Sequence, residues 1–319
     1  MELPRARDSR RESGLLKLSI YAGLLIFLLQ AAAWAFGQER DDLSRLLDRA
    51  ADNARRYTNA MRDLTAEEVR HTELFDKNGR VQKQRRTVSD FVVHTAGTDT
   101  LAEFRSIRQV DGKPVKGGEG RLESLSRRLS DVDSLAKELE LVDRESSRYD
   151  LDEMRMRGMA LNQAWPLEDD QFRRTAQFVQ ERTEAVSGRN TIVVRYETPP
   201  IGPSPQTQNL VELLKPSRIY VRGRIWIDAE TAEIWRYETE TMVDEKSLAE
   251  PLAWERMEFY YIPSAFGIPT PQKIVWTSNG TISRDKGKLQ LSVKGRVTAD
   301  YGTFKRFGTD VQIVPLPVQ

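Results

Sequence analysis

Apolar positions in this chain change their spacing several times, and each change marks an element. Leu43, Leu46, Leu47, Ala50, Ala54, Tyr57, Met61 and Leu64 recur at helical spacing between Arg, Asp and Asn. That spacing predicts an amphipathic helix over 39–64. From Glu67 the period falls to two. Segments 67–75 and 81–94 flank Lys77-Asn78-Gly79, and Asn-Gly between extended runs signals a hairpin because the turn needs positive φ. Segment 101–110 runs into Asp111-Gly112, a second turn of the same chemistry. Residues 65–115 therefore predict a meander of three or four antiparallel strands.

Helical spacing returns over 121–141, where Leu122, Leu125, Leu129, Val132, Ala136 and Leu139 form a seam. The seam is short for a coiled coil, so packing against the sheet is the better reading. A weaker helical stretch covers 148–163 and carries Met154, Met156 and Met159, which suit core filling. Strands are expected at 172–186 and 191–198, joined by 187–190. The proline-rich stretch 199–216 cannot donate regularly to a ladder and is expected to cross outside the sheet as a flap. Strands follow at 219–227, 233–243, 254–262, 272–278 and 288–301, with a last short one within 303–314. In the run 288–301, Leu289, Leu291, Val293, Val297, Ala299 and Tyr301 share one face. Gly295 interrupts that face, where a bulge or a close backbone approach is expected.

Short connections between neighbouring strands imply an antiparallel sheet, and a sheet of about ten twisted strands curls. The expected fold class is α+β: a large curved antiparallel sheet, an open half-barrel, wrapped on two or three helices. Space left between sheet and helices would be a pocket.

The head of the chain changes where this domain works. Arg5, Arg7, Arg10, Arg11 and Lys17 precede an apolar stretch from Leu18 to Phe36, and Ala35-Phe36-Gly37 offers a small-x-small exit before Gln38. Those are the parts of an export signal. The stretch also approaches the roughly 20 residues that span a bilayer. Residues 1–37 are thus a signal peptide or an uncleaved N-terminal anchor, with Gln30 and the small exit residues favouring cleavage. Either outcome puts residues 38–319, read as a single domain, in the periplasm or outside the cell. Ser9-Arg10-Arg11 opens like a twin-arginine signal but lacks the apolar pair, so a merely basic head is preferred.

Composition narrows the chemistry. Lys+Arg is 49 against 48 Asp+Glu, a balance that gives nucleic acid no basic footprint. There is no cysteine, which removes disulfides, a thiol nucleophile, a lipid-modified cysteine and the usual zinc sites. The only histidines are His71 and His94. No Gly-x-Ser-x-Gly elbow and no phosphate-binding glycine loop occurs. Gly117-Gly118-Glu119-Gly120 lacks the strand-to-helix context of a dinucleotide site and reads as a loop. Asp90, Glu103, Asp111 and the run Glu168-Asp169-Asp170 supply carboxylates for a hydrolase, but acids are plentiful here and solvated turns account for them. Asn279-Gly280-Thr281 reads as a turn. No catalytic residue, metal or cofactor is expected.

Several phrases carry a family likeness. Besides the helix 39–64 behind an export signal, these are Gly223-Arg224-Ile225-Trp226-Ile227-Asp228, Glu233-Ile234-Trp235-Arg236-Tyr237-Glu238 and Lys273-Ile274-Val275-Trp276. They resemble the lipoprotein-carrier superfamily of LolA, LolB and RseB, as well as secreted proteins of environmental Gram-negative bacteria, notably acidobacteria. The resemblance transfers no site residue. It implies a cavity for acyl chains and a non-catalytic periplasmic binder of a lipid or other apolar ligand. Trp226, Trp235, Tyr237, Phe259, Tyr261 and Trp276 are the candidate lining residues; strand parity leaves open which of them face inward. The helical insert near 121–165 and the proline-rich loop depart from the family's usual length. The alternative function is an envelope protein-interaction or assembly module that uses the charged sheet face and the seam 122–139 to contact a protein partner.

Overall fold

The computed structural model describes residues 41–76, 78–96, 100–128, 132–151, 154, 156, 158–200, 218–244, 250–279, 282–285, 288–291 and 294–307. Residues 1–37, expected as a signal peptide or anchor, and nearly all of the proline-rich loop, from 201 on, lie outside the described residues. The chain forms two compact units, Met1–Asp48 and Arg49–Gln319. In the first, 41–48 are described and helical. The account below concerns the second.

The second unit opens with helix α1, helical through residue 60, four residues short of the expected end. Asp63 then takes a positive φ of 56° and Leu64 starts the sheet. The first meander is β1 (Leu64–Phe75), β2 (Val81–Ala96), β3 (Thr100–Val110) and β4 (Lys113–Pro114). Both expected turns are present: Gly79 has φ +79°, and Asp111 and Gly112 have φ of 51° and 76°. The helical insert holds α2 (Arg121–Arg128), α3 (Val132–Ser146), α4 (Trp165–Glu168) and α5 (Asp170–Thr175). The second meander is β5 (Gln177–Val186), β6 (Arg189–Glu197), β7 (Arg218–Asp228), β8 (Ile234–Asp244), β9 (Leu252–Ile262) and β10 (Thr270–Ser278). A hairpin of β11 (Ile282–Asp285) and β12 (Lys288–Leu291) precedes β13 (Lys294–Tyr301) and β14 (Lys305–Arg306).

All of these strands except β11 and β12 build one open, antiparallel 12-stranded sheet in the order β4-β3-β2-β1-β13-β10-β9-β8-β7-β6-β5, with β14 pairing onto β1. Nearly every neighbour in space is a neighbour in sequence. The exceptions are β14, which pairs onto the start of β1, and β13, which lies between β1 and β10 and joins the two meanders. One edge is the two-residue β4; the other is β5, whose register shifts between Gln180 and Arg182.

Four expectations need correction. The stretch 148–163 does not form the expected helix: a single 3-10 turn at Ser147–Tyr149 is followed, among the described residues up to 163, by none in helix or strand. Residues 172–175 belong to α5 rather than to a strand, because the Asp169 carboxylate accepts from the Gln171 and Phe172 amides and caps a helix there. The run 288–301 is broken, since β12 pairs only with β11 while β13 joins the large sheet. Within 303–314, β14 is two residues long, and 308–314 lie outside the described residues.

Side chains alternate between the two faces of a strand, and both faces are partly covered. On the inner face, Tyr57 of α1 meets Tyr261 edge-on at 6.0 Å. On the opposite face at β2 and β3, the seam residues Leu122, Leu125, Leu135 and Leu139, with Val142, bury against Val92, Phe104 and Phe307. The seam is therefore taken up within the fold, as its length implied.

Candidate functional site

The register sorts the six candidate aromatic residues. Tyr237 pairs with Ile225 and with Phe259, and Phe259 pairs with Ile274. Tyr261 is two residues further along the same strand and so shares their face. Trp276 pairs with Met257 and Val297 on that face as well. Tyr196, Tyr237 and Phe259 stack in a row, with centroids 6.3 and 5.3 Å apart. These four candidates, with Tyr196, thus line the inner face, and all are buried.

Trp226 and Trp235 go elsewhere. Trp226 pairs with Arg236, whose guanidinium lies 4.4 Å above its ring and 5.0 Å above that of Tyr260. The register shifts between Trp226 and Ile227, so Trp235 is an extra residue at a bulge. Arg189 covers its ring at 4.9 Å and also reaches Asp228 at 3.7 Å. Both tryptophans therefore belong to the opposite, charged face. There Glu238, Glu240 and Glu258 interleave with Arg222, Arg224 and Arg256. Alternating hydrophobicity does not reveal this, because a tryptophan under an arginine looks like any apolar strand residue.

The inner face is mostly filled. Over β7 to β10 aromatic rings occupy it. Over β1 to β3 a buried ion network does, and the sequence reading missed it except for Glu103. Glu68 accepts from Arg105 Nε at 3.0 Å, Arg105 Nη2 at 3.0 Å and Arg70 Nη2 at 3.0 Å. Arg105 Nη2 also donates to Glu103 at 2.9 Å. Burial alone would raise the Glu68 pKa, but the Arg105 and Arg70 charges outweigh it and bring the carboxyl down to about 2. Tyr57, Tyr237, Tyr261 and Tyr301 are all pushed well above the usual phenol range, first by burial. They stay neutral and act as apolar rings with a hydroxyl handle.

One cleft of about 380 Å³ opens beside this filled face. Tyr57, Ala60, Phe266, Ile268 and Pro269 supply its apolar wall, and Asn53, Arg56, Gln163 and Glu233 its polar rim. Its walls are fixed from both sides. Arg49 and Asn53 of α1 donate to the carbonyls of Glu230 and Thr231 in the β7–β8 turn. In the β9–β10 turn, the Ser264 hydroxyl donates to the Ile268 carbonyl at 2.6 Å. Tyr57 borders the cleft but is itself fully buried, with its ring edge-on to that of Tyr261.

The chain is similar to a LolA superfamily protein from Nitrosomonas europaea, at 11% identity over 82% of this chain and 92% of that one, with a TM-score of 0.27. It is also similar to a putative outer membrane lipoprotein-sorting protein domain from Vibrio parahaemolyticus, at 9% identity over 82% and 93%, with a TM-score of 0.30. A DUF1329 family protein from Desulfovibrio piger gives 9% identity over 83% and 93%, with a TM-score of 0.33. Superpositions this loose transfer neither ligand nor site. No family model matches the chain, and no curated protein matches it.

The two histidines do not come together, whereas the candidate acids Glu103 and Glu168 both act on Tyr57. His71 faces Arg86 across β1 and β2, eight positions from His94, or roughly 26 Å along the strand. His94 Nδ1 is held by Asp63 at 2.5 Å. Asp90 pairs with Arg108 at 3.1 Å, Asp111 accepts from the Arg86 amide at 2.8 Å, and Asp169 caps α5. Among the described residues no group of three or more acids and histidines is placed to hold a metal ion.

Proposed function

We propose that this protein is an exported, non-catalytic binding protein for a lipid or another apolar ligand, with the 380 Å³ cleft as its port. The cleft carries the reading. Its volume falls within the roughly 300–1,000 Å³ range of small-ligand sites, and it pairs an apolar wall with a few polar groups, as such sites do. Tyr57 borders the cleft and meets Tyr261, which shares the aromatic layer with Phe259, Tyr237 and Trp276. Those residues form the wall that an acyl chain would meet on moving inward. Trp226 and Trp235 support the charged face instead. The basic and apolar head of the chain supports a site of action beyond the inner membrane. Among the described residues no helix is long and apolar enough to cross a membrane.

The test is displacement of a fluorescent fatty acid, together with native mass spectrometry of protein purified from a bacterial host. Wild type is expected to carry lipid or to bind the probe saturably. Ala60→Trp fills the cleft and is expected to weaken probe binding at least about tenfold, or 1.4 kcal/mol, with the urea midpoint unchanged. Wild-type protein that neither carries lipid nor binds the probe overturns the reading.

A further inference from the structure

The rim of the cleft carries one charge of each sign, and among the described residues neither is neutralised. Arg56 stands on α1 and is exposed. Its Nη2 donates to the side-chain oxygen of Asn53, a neutral acceptor, and among the described residues it meets no carboxylate. The neighbouring arginines of the helix are engaged: Arg55 pairs with Asp52 at 2.7 Å, and Arg49 donates to the Glu230 carbonyl. Glu233 lines the cleft from the strand side, one residue before β8, and is half-buried. Its carboxylate accepts from the Thr231 hydroxyl at 3.1 Å, and among the described residues no lysine or arginine pairs with it.

Inside the rim the character changes. Ala60, Phe266, Ile268 and Pro269 present an apolar wall. The Tyr57 hydroxyl is spent on the Ala160 carbonyl at 2.6 Å, so this border offers a ligand a ring and no free O–H. Size sets a further limit. At the ~30 Å³ that a water takes in the liquid, a cleft of about 380 Å³ holds roughly a dozen heavy atoms. One hydrocarbon chain fits that space; the paired chains of a membrane lipid do not.

We propose that the cleft takes a single-chain amphiphile with a zwitterionic head, the anionic part of the head at Arg56 and the cationic part at Glu233. The proposal rests on the reading of the cleft as a binding port and names what enters it. Complementary charge at a rim selects between ligands more than it adds affinity. A head with one charge gains one contact and meets like charge at the other, which is discrimination by repulsion as well as by attraction.

The test uses three amphiphiles of one chain length: dodecylphosphocholine, dodecanoate and dodecyltrimethylammonium. Each is titrated calorimetrically into the full-length protein below its micelle concentration. Wild type is expected to bind the phosphocholine at least about threefold more tightly than either of the others, the scale of an exposed ion pair. Arg56→Gln is expected to remove the advantage over dodecyltrimethylammonium and to keep that over dodecanoate. Glu233→Gln is expected to do the reverse. Ala60→Trp is expected to weaken all three. If the three bind wild type equally and all weaken with Ala60→Trp, the zwitterionic head is overturned and the port stands. An order of affinity that both charge variants leave unchanged has the same meaning. Binding that Ala60→Trp does not weaken, or no binding of any of the three, overturns the port and the head selectivity with it.

Discussion

At the scale of single residues, Glu168 is the group through which pH acts most directly. It ends α4 next to the Tyr57–Tyr261 contact, and one of its carboxylate oxygens is buried without a partner. Burial pushes its pKa up to about 7, against the opposing pulls of the Gln163 backbone and Arg55. A carboxyl raised in the folded state binds its proton more tightly there than in the unfolded chain. The stability it contributes is complete below the unfolded value of 4.5 and is lost as pH rises through about 7. Because the group is partly solvated, the effect is about 1–2 kcal/mol. Glu168→Gln is expected to flatten this part of the profile and to raise the urea midpoint at pH 8 relative to wild type. Equal pH dependence in both proteins between pH 5 and 8 contradicts it. Glu168 was visible in the sequence only as one acid in a run of three. Glu68 and Arg70 were not visible at all as buried residues, because the two faces of β1 are equally polar: Glu68, Arg70 and Thr72 point in, while Glu67, His71 and Glu73 point out. Only the partner strands, which bring Arg105 opposite, show which set is enclosed.

At the scale of elements, local chemistry decided what was legible. The Asn-Gly and Asp-Gly turns and the seam of α2 and α3 carry their signals in a few adjacent residues, and all of them formed. The stretch 148–163 misled because a weak helical pattern says nothing about a backbone held by side chains from elsewhere in the fold. The packing of β7 on β6 gives an element-scale prediction. Gly223 has no Cβ, and the Tyr196 ring occupies that space; an added Cβ would lie 2.0 Å from the Glu238 carbonyl oxygen and 2.7 Å from the Tyr196 hydroxyl. The two tyrosine hydroxyls of Tyr196 and Tyr237 then meet at 3.1 Å. Gly223→Val is expected to cost about 2 kcal/mol or more by overpacking, read as a drop in the urea midpoint. A loss under about 0.5 kcal/mol, the range of ordinary surface changes, contradicts this packing account.

At the scale of the larger unit, β13 matters most. It holds Val297 and Ala299 with no exposed surface and bonds to β1 on one side and β10 on the other. The two meanders could each be read from consecutive strands and short turns. Their junction could not, since a pairing across more than two hundred residues leaves no local mark. One continuous sheet implies one cooperative transition. Tryptophan fluorescence, reporting from β7 to β10 and from Trp165 of α4, and hydrogen exchange in β1 to β3 are expected to give the same urea midpoint. Val297→Asn, which puts an amide into that seam, is expected to lower both together. Separate midpoints in wild type contradict a continuous sheet.

A ladder this wide offers two ends to a stranger's backbone. At one, the two-residue β4 covers only Gln109 and Val110 of β3. The other is bent by an extra residue and carries Glu181, Arg182 and Glu184 along its length, so an approaching strand meets a kink and fixed charges before it meets a straight row of amides. Growth halts where the chain's own pairing halts, and a fold made largely of strands stays a discrete particle instead of seeding fibres.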